Sequence, residues 1–517
     1  MRIMPISTNA EFFLPLIAKH SNDKDEVNFH ALMDELRASS FSTLMKTQGI
    51  NAMASMAKGM PKHIVDKMLK KHNENDVLDT DFKAQISSDP MAEAFVEKSF
   101  AHSGGGATMV PPPINPLASD LLSYVKRTTS SAAYINVPFC QTRCAFCMFY
   151  IAPYKKEESQ RYTDAVIKEM QLWADRPAQN SAPIQALYLG GGTPTALEAS
   201  DLKRIIEKAR EYLPLANDVE LTVEGRLSYF DDHKMEACLE AGANRFSLGV
   251  QTFDTEIRQA LGRISPKDSL ISRLEKLCSY NEAAVVIDLI FGLPGQTNQN
   301  FKTDLEIVSS LPIHGVDLYQ LIMLENSPLE KIKRTGRDLK LPTKEQRARL
   351  YEQGCKFLQE HHWHQLSVSH FARTPRERNI YNVLAKSDAD TLAFGPGAGG
   401  KIQGVSFVNG RDYEDYFKKL KDSQKPVAMI FMPPKNWRLY KNLGEMLELG
   451  FIDRYVIKKK YNLDILKLAN EVFMQWQEAG LLNITDRYIN LTQAGLFWSV
   501  TMSQLLQNYL IKNQNHL

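Results

Sequence analysis

The stretch YINVPFCQTRCAFCMFY, residues 134–150, decides the fold assignment. It begins as an apolar, β-rich run and passes directly into Cys140, Cys144 and Cys147, which have the spacing CxxxCxxC. Three thiolates on a short loop can bind three irons of a 4Fe-4S cubane and leave the fourth iron without a protein ligand. Such an open iron suits chemistry at the metal itself.

A zinc site and three unrelated thiols are the alternatives to a cluster. A structural zinc site takes four ligands, usually from two CxxC pairs, and no fourth Cys or His lies close by in the sequence. The spacing by itself leaves both alternatives open. The remaining Cys238, Cys278 and Cys355 are scattered through helical or apolar segments, so the six cysteines are not a disulfide framework, and we expect a reducing cytoplasm.

The composition is that of an ordinary globular protein and gives no support to two classes of partner. The 517 residues hold 62 Lys and Arg against 60 Asp and Glu, a formal charge of +2, and 44% are hydrophobic. Because the charge is nearly balanced, we expect neither nucleic acid nor an anionic membrane as the main partner. The longest apolar runs fall short of the roughly 18 residues that a membrane span needs.

Short apolar runs alternate with amphipathic helical stretches from residue 132 to residue 335. About six β-then-α units of this kind predict a parallel sheet covered by helices, with ligands at the carboxyl ends of the strands. The fold class is therefore α/β, an open, partial (β/α)6 barrel. The predicted strands are AAYINVPF (132–139), ALYLGGG (186–192), VELTVEG (219–225), RFSLGV (245–250), AVVIDLIF (284–291) and VDLYQLI (316–322).

Four further segments flank the predicted barrel. Helical periodicity at 28–45 and 63–72 predicts an N-terminal helical extension, 1–102, and the Gly and Pro residues of SGGGATMVPPPINP predict a linker over 103–131 that leads to the first strand. Residues 336–425 are expected to close one side of the sheet. Residues 426–517 are mainly helical and end in helix, small hairpin and helix, much like a winged helix, for which we expect a packing or lid role because the segment is not strongly basic.

With these signatures the sequence resembles the radical S-adenosylmethionine (SAM) superfamily. Their order matches the branch that includes oxygen-independent coproporphyrinogen dehydrogenase (HemN-like) and its haem-chaperone relatives. About 200 residues match in one consistent order. The matching segments are YINVPFC (134–140), LYLGGGTPT (187–195), VELTVEGR (219–226), SLGVQTFD (247–254) and VIDLIFGLPGQT (286–297).

Elementary chemistry explains why several residues in these segments suit a cofactor-binding site. Without side chains, Gly191 and Gly192 let a backbone edge approach the methionine part of a cofactor, although a triple glycine can also be just a tight turn. Glu224, at the end of the third predicted strand, can accept hydrogen bonds from ribose hydroxyls. Asp288 lies in an apolar run suited to a buried strand, where a carboxylate needs a ligand hydroxyl or a base as partner.

The resemblance implies a 4Fe-4S cluster and SAM, with a second SAM beside the first, and assigns residues to both. Tyr134 and Phe146 can also simply fill the core, and Arg263 can be a solvated helix residue. Cys140, Cys144 and Cys147 are the implied metal-binding and catalytic residues. The implied cofactor-binding residues are Tyr134, Phe146, Gly191, Gly192, Thr193, Glu224, Gln251, Arg263 and Asp288.

Two departures separate this chain from other activities of the branch. The coproporphyrinogen dehydrogenases carry another Cys two positions after the third, where this chain has Phe149. The haem chaperones carry an HNxxYW-like element, where this chain has ERNIYNVLAK with Arg378 in place of the His. The chain most resembles the anaerobic haem-degrading radical SAM methyltransferases of the ChuW/HutW type, and the other two activities remain alternatives.

This resemblance implies an enzyme that methylates a meso carbon of haem and opens the ring without oxygen, releasing iron and a linear tetrapyrrole. A flavodoxin-like or flavin donor would supply electrons. The haem contacts stay open: Tyr319 and Gln320 are pocket or core candidates. An imidazole can bind haem iron, but surface or hydrogen-bonded histidines are more usual, so four histidines stay outside the predicted site, namely His361, His362, His364 and His370.

Overall fold

One large sheet organises the part of the chain that the structure describes. The computed structural model describes Ala31 and residues 81–98, 107–109, 115–127, 130–147, 149–324 and 327–513. The strands in these ranges are β1 (Thr108–Met109), β2 (Ser131–Val137), β3 (Phe139–Cys140), β4 (Ala152–Pro153), β5 (Ile184–Gly191), β6 (Leu215–Gly225), β7 (Arg245–Gln251), β8 (Ala284–Phe291), β9 (Gly315–Gln320), β10 (His364–Gln365), β11 (His370–Ala372), β12 (Asp390–Phe394), β13 (Gly399–Ile402), β14 (Val405–Asn409), β15 (Val427–Met432), β16 (Phe451–Asp453), β17 (Leu482–Ile484) and β18 (Tyr488–Leu491).

Helices separate the strands as the alternation predicted. Several begin at side-chain caps; α9, for example, starts at the capping box of Thr297 and Asn300. In the described ranges the helices are α1 (Pro90–Glu93), α2 (Asn115–Ser123), α3 (Lys156–Leu172), α4 (Pro177–Asn180), α5 (Ala199–Tyr212), α6 (Asp232–Glu240), α7 (Thr255–Ala260), α8 (Lys267–Ser279), α9 (Asn298–Ser310), α10 (Pro328–Arg334), α11 (Lys344–Glu360), α12 (Ile380–Lys386), α13 (Tyr413–Lys421), α14 (Trp437–Glu448), α15 (Arg454–Tyr461), α16 (Ile465–Leu468), α17 (Asn470–Glu478) and α18 (Gln493–Lys512).

The predicted (β/α)6 arrangement is confirmed. Strands β2, β5, β6, β7, β8 and β9 lie side by side in sequence order and pair in parallel. Their side chains are buried on both faces, as in β2, where six of seven residues are buried, because helices cover the outer face. The carboxyl ends of all six strands therefore meet at one rim of the sheet.

The segment expected to close one side of the sheet instead extends both edges. Strands β11 and β10 continue antiparallel from β9, whereas β12 pairs in parallel with β2 and leads to β13, β14, β15 and β1. β12, whose five residues are all buried, fits beside β2 as a central strand. The prediction of one closed side was wrong because the run TLAF carries no local signal of its pairing partner.

The N-terminal prediction is only partly open to comparison. Apart from Ala31, the helices expected at 28–45 and 63–72 lie outside the described residues. Among the described residues of the expected linker, 103–131, β1 pairs with β15, and α2 begins at Asn115 within the Pro-rich stretch. A proline in the first turn of a helix removes no intrahelical hydrogen bond, so a Pro-rich composition does not exclude a helix there.

The helical end of the chain begins after β15, which still belongs to the large sheet. The predicted helix, hairpin and helix are α17, β17 with β18, and α18, and β16 adds a third strand to the hairpin. Phe497, Trp498 and Met502 of α18 are buried against the rest of the chain. Within the described ranges, no helix combines the length and the apolar character that crossing a bilayer requires.

Candidate active site

Cys140 is the last residue of β3, and Cys144 and Cys147 lie on the loop that joins β3 to β4, beyond the carboxyl end of β2. β3 and β4 pair in parallel, which brings the two ends of the loop together. Inside it, the amide of Cys147 donates to the carbonyl of Cys144 over 3.2 Å, and the amide of Ala145 donates to the carbonyl of Leu261 over 3.1 Å. The loop is thus folded on itself and fastened to the end of α7.

Each cysteine sulfur accepts a hydrogen bond. The donors are Oγ1 of Thr193 for Cys140 at 3.3 Å, Nη2 of Arg226 for Cys144 at 3.1 Å and the backbone nitrogen of Phe149 for Cys147 at 3.3 Å. A second guanidinium, that of Arg263, also lies beside Cys144. Donors aimed at sulfur stabilise the thiolate, which is the form that binds metal.

Burial has the opposite effect on two of the thiols. It raises the pKa of Cys140 and of Cys147, and the hydrogen bonds to their sulfurs only partly offset it. In the described part of the chain, no three His, Cys, Asp or Glu side chains converge on one point to hold a single ion. A cubane meets each thiolate at a different iron, so its ligands do not have to converge.

The glycine loop packs against the protein itself. Gly191 has φ +104°, and a Cβ there would lie 2.1 Å from Oδ1 of Asn136. A Cβ on Gly192 would lie 2.4 Å from the carbonyl oxygen of Phe139. The absence of side chains at these glycines therefore allows the end of β5 to approach β2 and β3. This requirement holds whether or not a cofactor is bound. The contacts match the alternative that the glycines form a tight turn.

Glu224 lines the cavity next to this loop. Burial, followed by the negative charge of Asp288, raises the pKa of Glu224 to about 8, although a backbone hydrogen bond from Gly191 and one from Tyr188 act against the rise. At neutral pH the carboxyl group is therefore partly protonated, and it can both donate to and accept from a ligand hydroxyl.

Gln251 and Arg263 meet at the carboxyl end of β7. Gln251 has φ +72°, and its buried Oε1 has no hydrogen-bond partner. Nη1 of Arg263 donates to the carbonyl of Gly249 over 2.5 Å, whereas its Nε is buried without a partner. Because an unpaired buried polar atom costs about 1–3 kcal/mol, the two orphaned atoms indicate a missing ligand.

Asp288 belongs to a buried charged network that the sequence did not reveal. It lies opposite Asp317 in the register of β8 and β9, and burial together with the charge of Asp317 raises the pKa of Asp288 to about 7. His370 lies between two carboxylates, with Nδ1 3.0 Å from Asp317 and Nε2 3.1 Å from Glu377. Arg245 in turn pairs with Glu377 over 3.0 Å. Arg245, Arg263 and His370 supply positive charge near Asp288, and a ligand hydroxyl or a base as its direct partner stays a prediction.

The carboxylates decide the protonation of His370. Burial disfavours the charged imidazole, but Asp317 and Glu377 outweigh it and raise the pKa of His370 to about 9. Burial favours the neutral form of Glu377, but Arg245 and His370 stabilise its carboxylate more strongly and lower its pKa to about 2. His370 is 1% exposed and held by these pairs, so its surroundings are those of a hydrogen-bonded structural histidine.

A cavity of about 470 Å³ opens at the carboxyl ends of the strands and brings most of the predicted residues together. Tyr319 and Gln320, which the sequence left open, also line it. The predicted residues in its wall are Cys144, Phe146, Cys147, Gly191, Gly192, Glu224, Gln251, Arg263 and Asp288.

Three predicted residues lie behind the cavity wall. Cys140 and Thr193 are buried and contact each other through the sulfur and the hydroxyl. Tyr134 stacks on Tyr188 at 6.2 Å and on Tyr381 at 6.0 Å between ring centroids. The sequence analysis did not include Arg226 among the site residues, although Arg226 ends the quoted segment VELTVEGR. In the structure its side chain donates a hydrogen bond to Cys144.

Comparisons with known proteins identify relatives of this chain. The model of the Radical SAM superfamily matches residues 134–308. An anaerobilin synthase of Escherichia coli O157:H7 is 42% identical over 385 residues, which are 74% of this chain and 84% of that protein. The haem chaperone HemW of Bacillus subtilis is 27% identical over 70% of this chain and 96% of its own length. Coproporphyrinogen III oxidase (HemN) from Escherichia coli, a solved structure, has a TM-score of 0.69 at 20% identity and covers 80% of this chain and 97% of its own.

Proposed function

Because this chain belongs to the radical SAM superfamily, we propose that it opens the haem ring without oxygen by transferring a methyl group to a meso carbon, which releases iron and a linear tetrapyrrole. The membership confirms the family expected from the signatures between residues 134 and 297. One observation carries the proposal: the 42% identity with an anaerobilin synthase, which extends over 84% of that protein.

The residues present fit a 4Fe-4S cluster and SAM. Cys140, Cys144 and Cys147 would hold three irons, since each sulfur already accepts a hydrogen bond that favours the thiolate. The orphaned Oε1 of Gln251 and Nε of Arg263 offer an acceptor and a donor to the polar end of SAM. When both were bound, the reduced cluster would supply one electron to the sulfonium of SAM, and the cleavage of SAM would provide a carbon radical that can abstract hydrogen.

The protein's own part is to position ligands and to exclude water. Glu224 would hold ribose hydroxyls, and its partial protonation lets it serve as donor and acceptor at once. Phe146 packs with Ile257, Leu261 and Ile290 into an apolar cluster that shields the cysteine loop. A dry site strengthens every electrostatic contact inside it and protects a reactive species from side reactions.

Two SAM molecules are proposed, one at the open iron and one as methyl donor. Gln251, Arg263 and Asp288 would form one cofactor pocket, because all three line one cavity beside Cys144. Gly191 and Gly192 would lie along the methionine part of the first SAM, with Phe146 against its flat portion, and Thr193 would act from behind the wall through its bond to Cys140. Tyr134 would support the cofactor from behind the cavity wall, because it stacks on Tyr188, which lines the cavity.

The alternatives are less well supported by individual residues. A coproporphyrinogen dehydrogenase would have a cysteine at position 149, where this chain has a phenylalanine that is 66% exposed. A haem chaperone would have a histidine at position 378, where Arg378 points to Asp218 at the surface. In the same stretch of sequence Tyr381 stacks on Tyr188, at 4.4 Å between ring centroids.

Two further parts of the proposal concern the surroundings of the enzyme. A flavodoxin-like or flavin donor would supply the electrons. We place the reaction in the reducing cytoplasm, because all six cysteines are free thiols and a reducing compartment keeps cluster ligands available.

Anaerobic incubation of cluster-reconstituted protein with haem, reductant and SAM tests the proposal. Loss of the Soret band with formation of S-adenosylhomocysteine and deoxyadenosine is the expected result. Decarboxylation of coproporphyrinogen without loss of haem would favour the dehydrogenase. Stable haem binding without turnover would favour the chaperone, and either result would overturn the proposal.

A further inference from the structure

One part of the cavity wall comes from outside the barrel. Residues 81–98, here called the strap, lie along the C-terminal helices: the amide of Ala84 donates to Oε1 of Gln475 over 2.9 Å, and Nε2 of Gln475 returns a bond to the carbonyl of Ala84 over 2.7 Å. Trp476 and Trp498 also donate from Nε1 to strap carbonyls, those of Phe82 and Met91. These contacts hold the strap against the C-terminal helices from Phe82 to Met91.

The last residue of the strap, Lys98, places an ammonium group in the cavity wall. Its Nζ lies 3.5 Å from the centroid of the Phe497 ring and 5.7 Å from that of Trp498, so the side chain is held over two aromatic faces. A cation over aromatic rings is positioned but not neutralised, because each ring contributes only a partial charge. The ammonium is therefore directed to the cavity by its neighbours.

Within the described ranges, no carboxylate pairs with this ammonium. Burial, and then the positive charge of Arg347, lower the pKa of Lys98 to about 7. Glu448 lies in the same wall but forms an ion pair with Lys386. With a pKa of about 7, Lys98 is only partly charged at neutral pH, and an anionic ligand at this end of the cavity would stabilise its charged form.

We propose that Lys98 binds a carboxylate side chain of the substrate, a propionate of haem, where the strap meets α11 and α18. The inference rests on the proposed function and goes beyond it by naming a specificity residue outside the barrel. Tyr351 and Phe497 line this end and offer apolar surface to the ring, while Lys98 receives the charged group. The strap thus orients the macrocycle relative to the cysteine loop in the same cavity.

Binding titrations that follow the Soret band test this role without turnover. The variants are Lys98→Met, Lys98→Arg and the control Lys83→Met, whose lysine is exposed on the same strap. Each is titrated anaerobically with haem and with haem dimethyl ester, in which the propionates carry no charge. Lys98→Met should weaken haem binding about tenfold or more, the effect of one charge-assisted hydrogen bond, and leave ester binding unchanged. Lys98→Arg should retain most of the affinity.

The thermal midpoint separates binding from folding. Replacing an unpaired, partly buried cation by an apolar side chain of similar length is neutral or stabilising, so Lys98→Met should unfold at or above the wild-type temperature. Haem affinity within twofold of wild type, or an equal loss for haem and its ester, would overturn the inference while leaving the proposed function intact. If the wild-type protein binds neither ligand, the proposed function fails and takes this inference with it.

Discussion

Arg226 donates a hydrogen bond from Nη2 to the Sγ of Cys144 over 3.1 Å. Its Nη1 is fixed by a second bond, of 2.9 Å, to the hydroxyl of Thr142, so the guanidinium cannot turn away. Only 8% of Arg226 is exposed, which keeps its charge unscreened at the sulfur. Hydrogen bonds and positive charge at a cluster ligand stabilise the reduced, more negative state.

Arg226→Met should therefore lower the reduction potential of the cluster by tens of millivolts without removing it. Potentiometric titration followed by electron paramagnetic resonance measures the shift, and iron analysis measures cluster content. Arg210→Met, at an exposed position on α5, is the matched control. An unchanged potential at full iron content would show that the bond to Cys144 has no electronic effect.

Cys144→Ala should abolish cluster assembly and SAM cleavage and leave the fold in place. The sulfur takes part in no disulfide, and the core of the sheet does not depend on it. Iron content, the release of deoxyadenosine and the far-ultraviolet circular dichroism spectrum report the three expectations separately. Cys238→Ala removes another buried thiol, one that packs in the core of the sheet, and should keep its iron. Turnover by Cys144→Ala would rule out the assigned site.

Glu224 should make the cluster-loaded, SAM-free protein less stable as the pH rises. A carboxyl whose pKa is about 8 in the folded protein and about 4.3 in the unfolded chain binds more protons when folded, so its contribution is present at low pH and lost toward pH 8. Glu224→Gln should remove this trend, which amounts to at most about 4 kcal/mol between pH 5 and pH 8.5.

Thermal midpoints of wild type and Glu224→Gln across this pH range check the prediction. Glu240→Gln, at an exposed position on α6, controls for the loss of one carboxyl group. Parallel pH profiles for wild type and Glu224→Gln would mean that Glu224 titrates normally, and would remove the case for a partly protonated group in the cavity.

His370 should stabilise the protein at neutral pH and lose that effect as the pH rises. Its pKa is raised to about 9 from an unfolded value of about 6.5, so the contribution is complete below pH 6.5 and disappears as the pH passes 9. Because it breaks a buried pair, His370→Gln should cost about 3–5 kcal/mol at pH 6 and clearly less at pH 10. Denaturation at both values measures this, with the exposed His361→Gln as control. An equal cost at the two values would indicate a packing role only.

The barrel could be predicted because its information is local. Each apolar run from AAYINVPF to VDLYQLI is short and is followed by a helical stretch, and such units stack in parallel in sequence order. Strand β12 could not be placed in this way. It joins β2 across about 250 residues of chain, and nothing in the run TLAF distinguishes an edge from a central position.

The loop residues of the site could be predicted from the sequence, whereas the residues that contact and position them could not. CxxxCxxC, GGGTP and Gln251 lie in short signatures, whereas the partners of these residues come from distant segments. Glu377 reaches Arg245 across 132 residues, and Lys98 enters from a strap outside the predicted barrel. One acidic residue within each of two apolar runs was the available sign of the buried network, since Asp288 of β8 and Asp317 of β9 face each other in register.

Isotope transfer from the methyl group of SAM to the product tests the central claim most directly. Anaerobic turnover of haem with SAM carrying a deuterated methyl group should give a linear tetrapyrrole that contains deuterium and deoxyadenosine that has gained deuterium, both read by mass spectrometry. A ring-opened product without deuterium, or unlabelled deoxyadenosine formed at the same rate, would contradict methyl transfer as the step that opens the macrocycle.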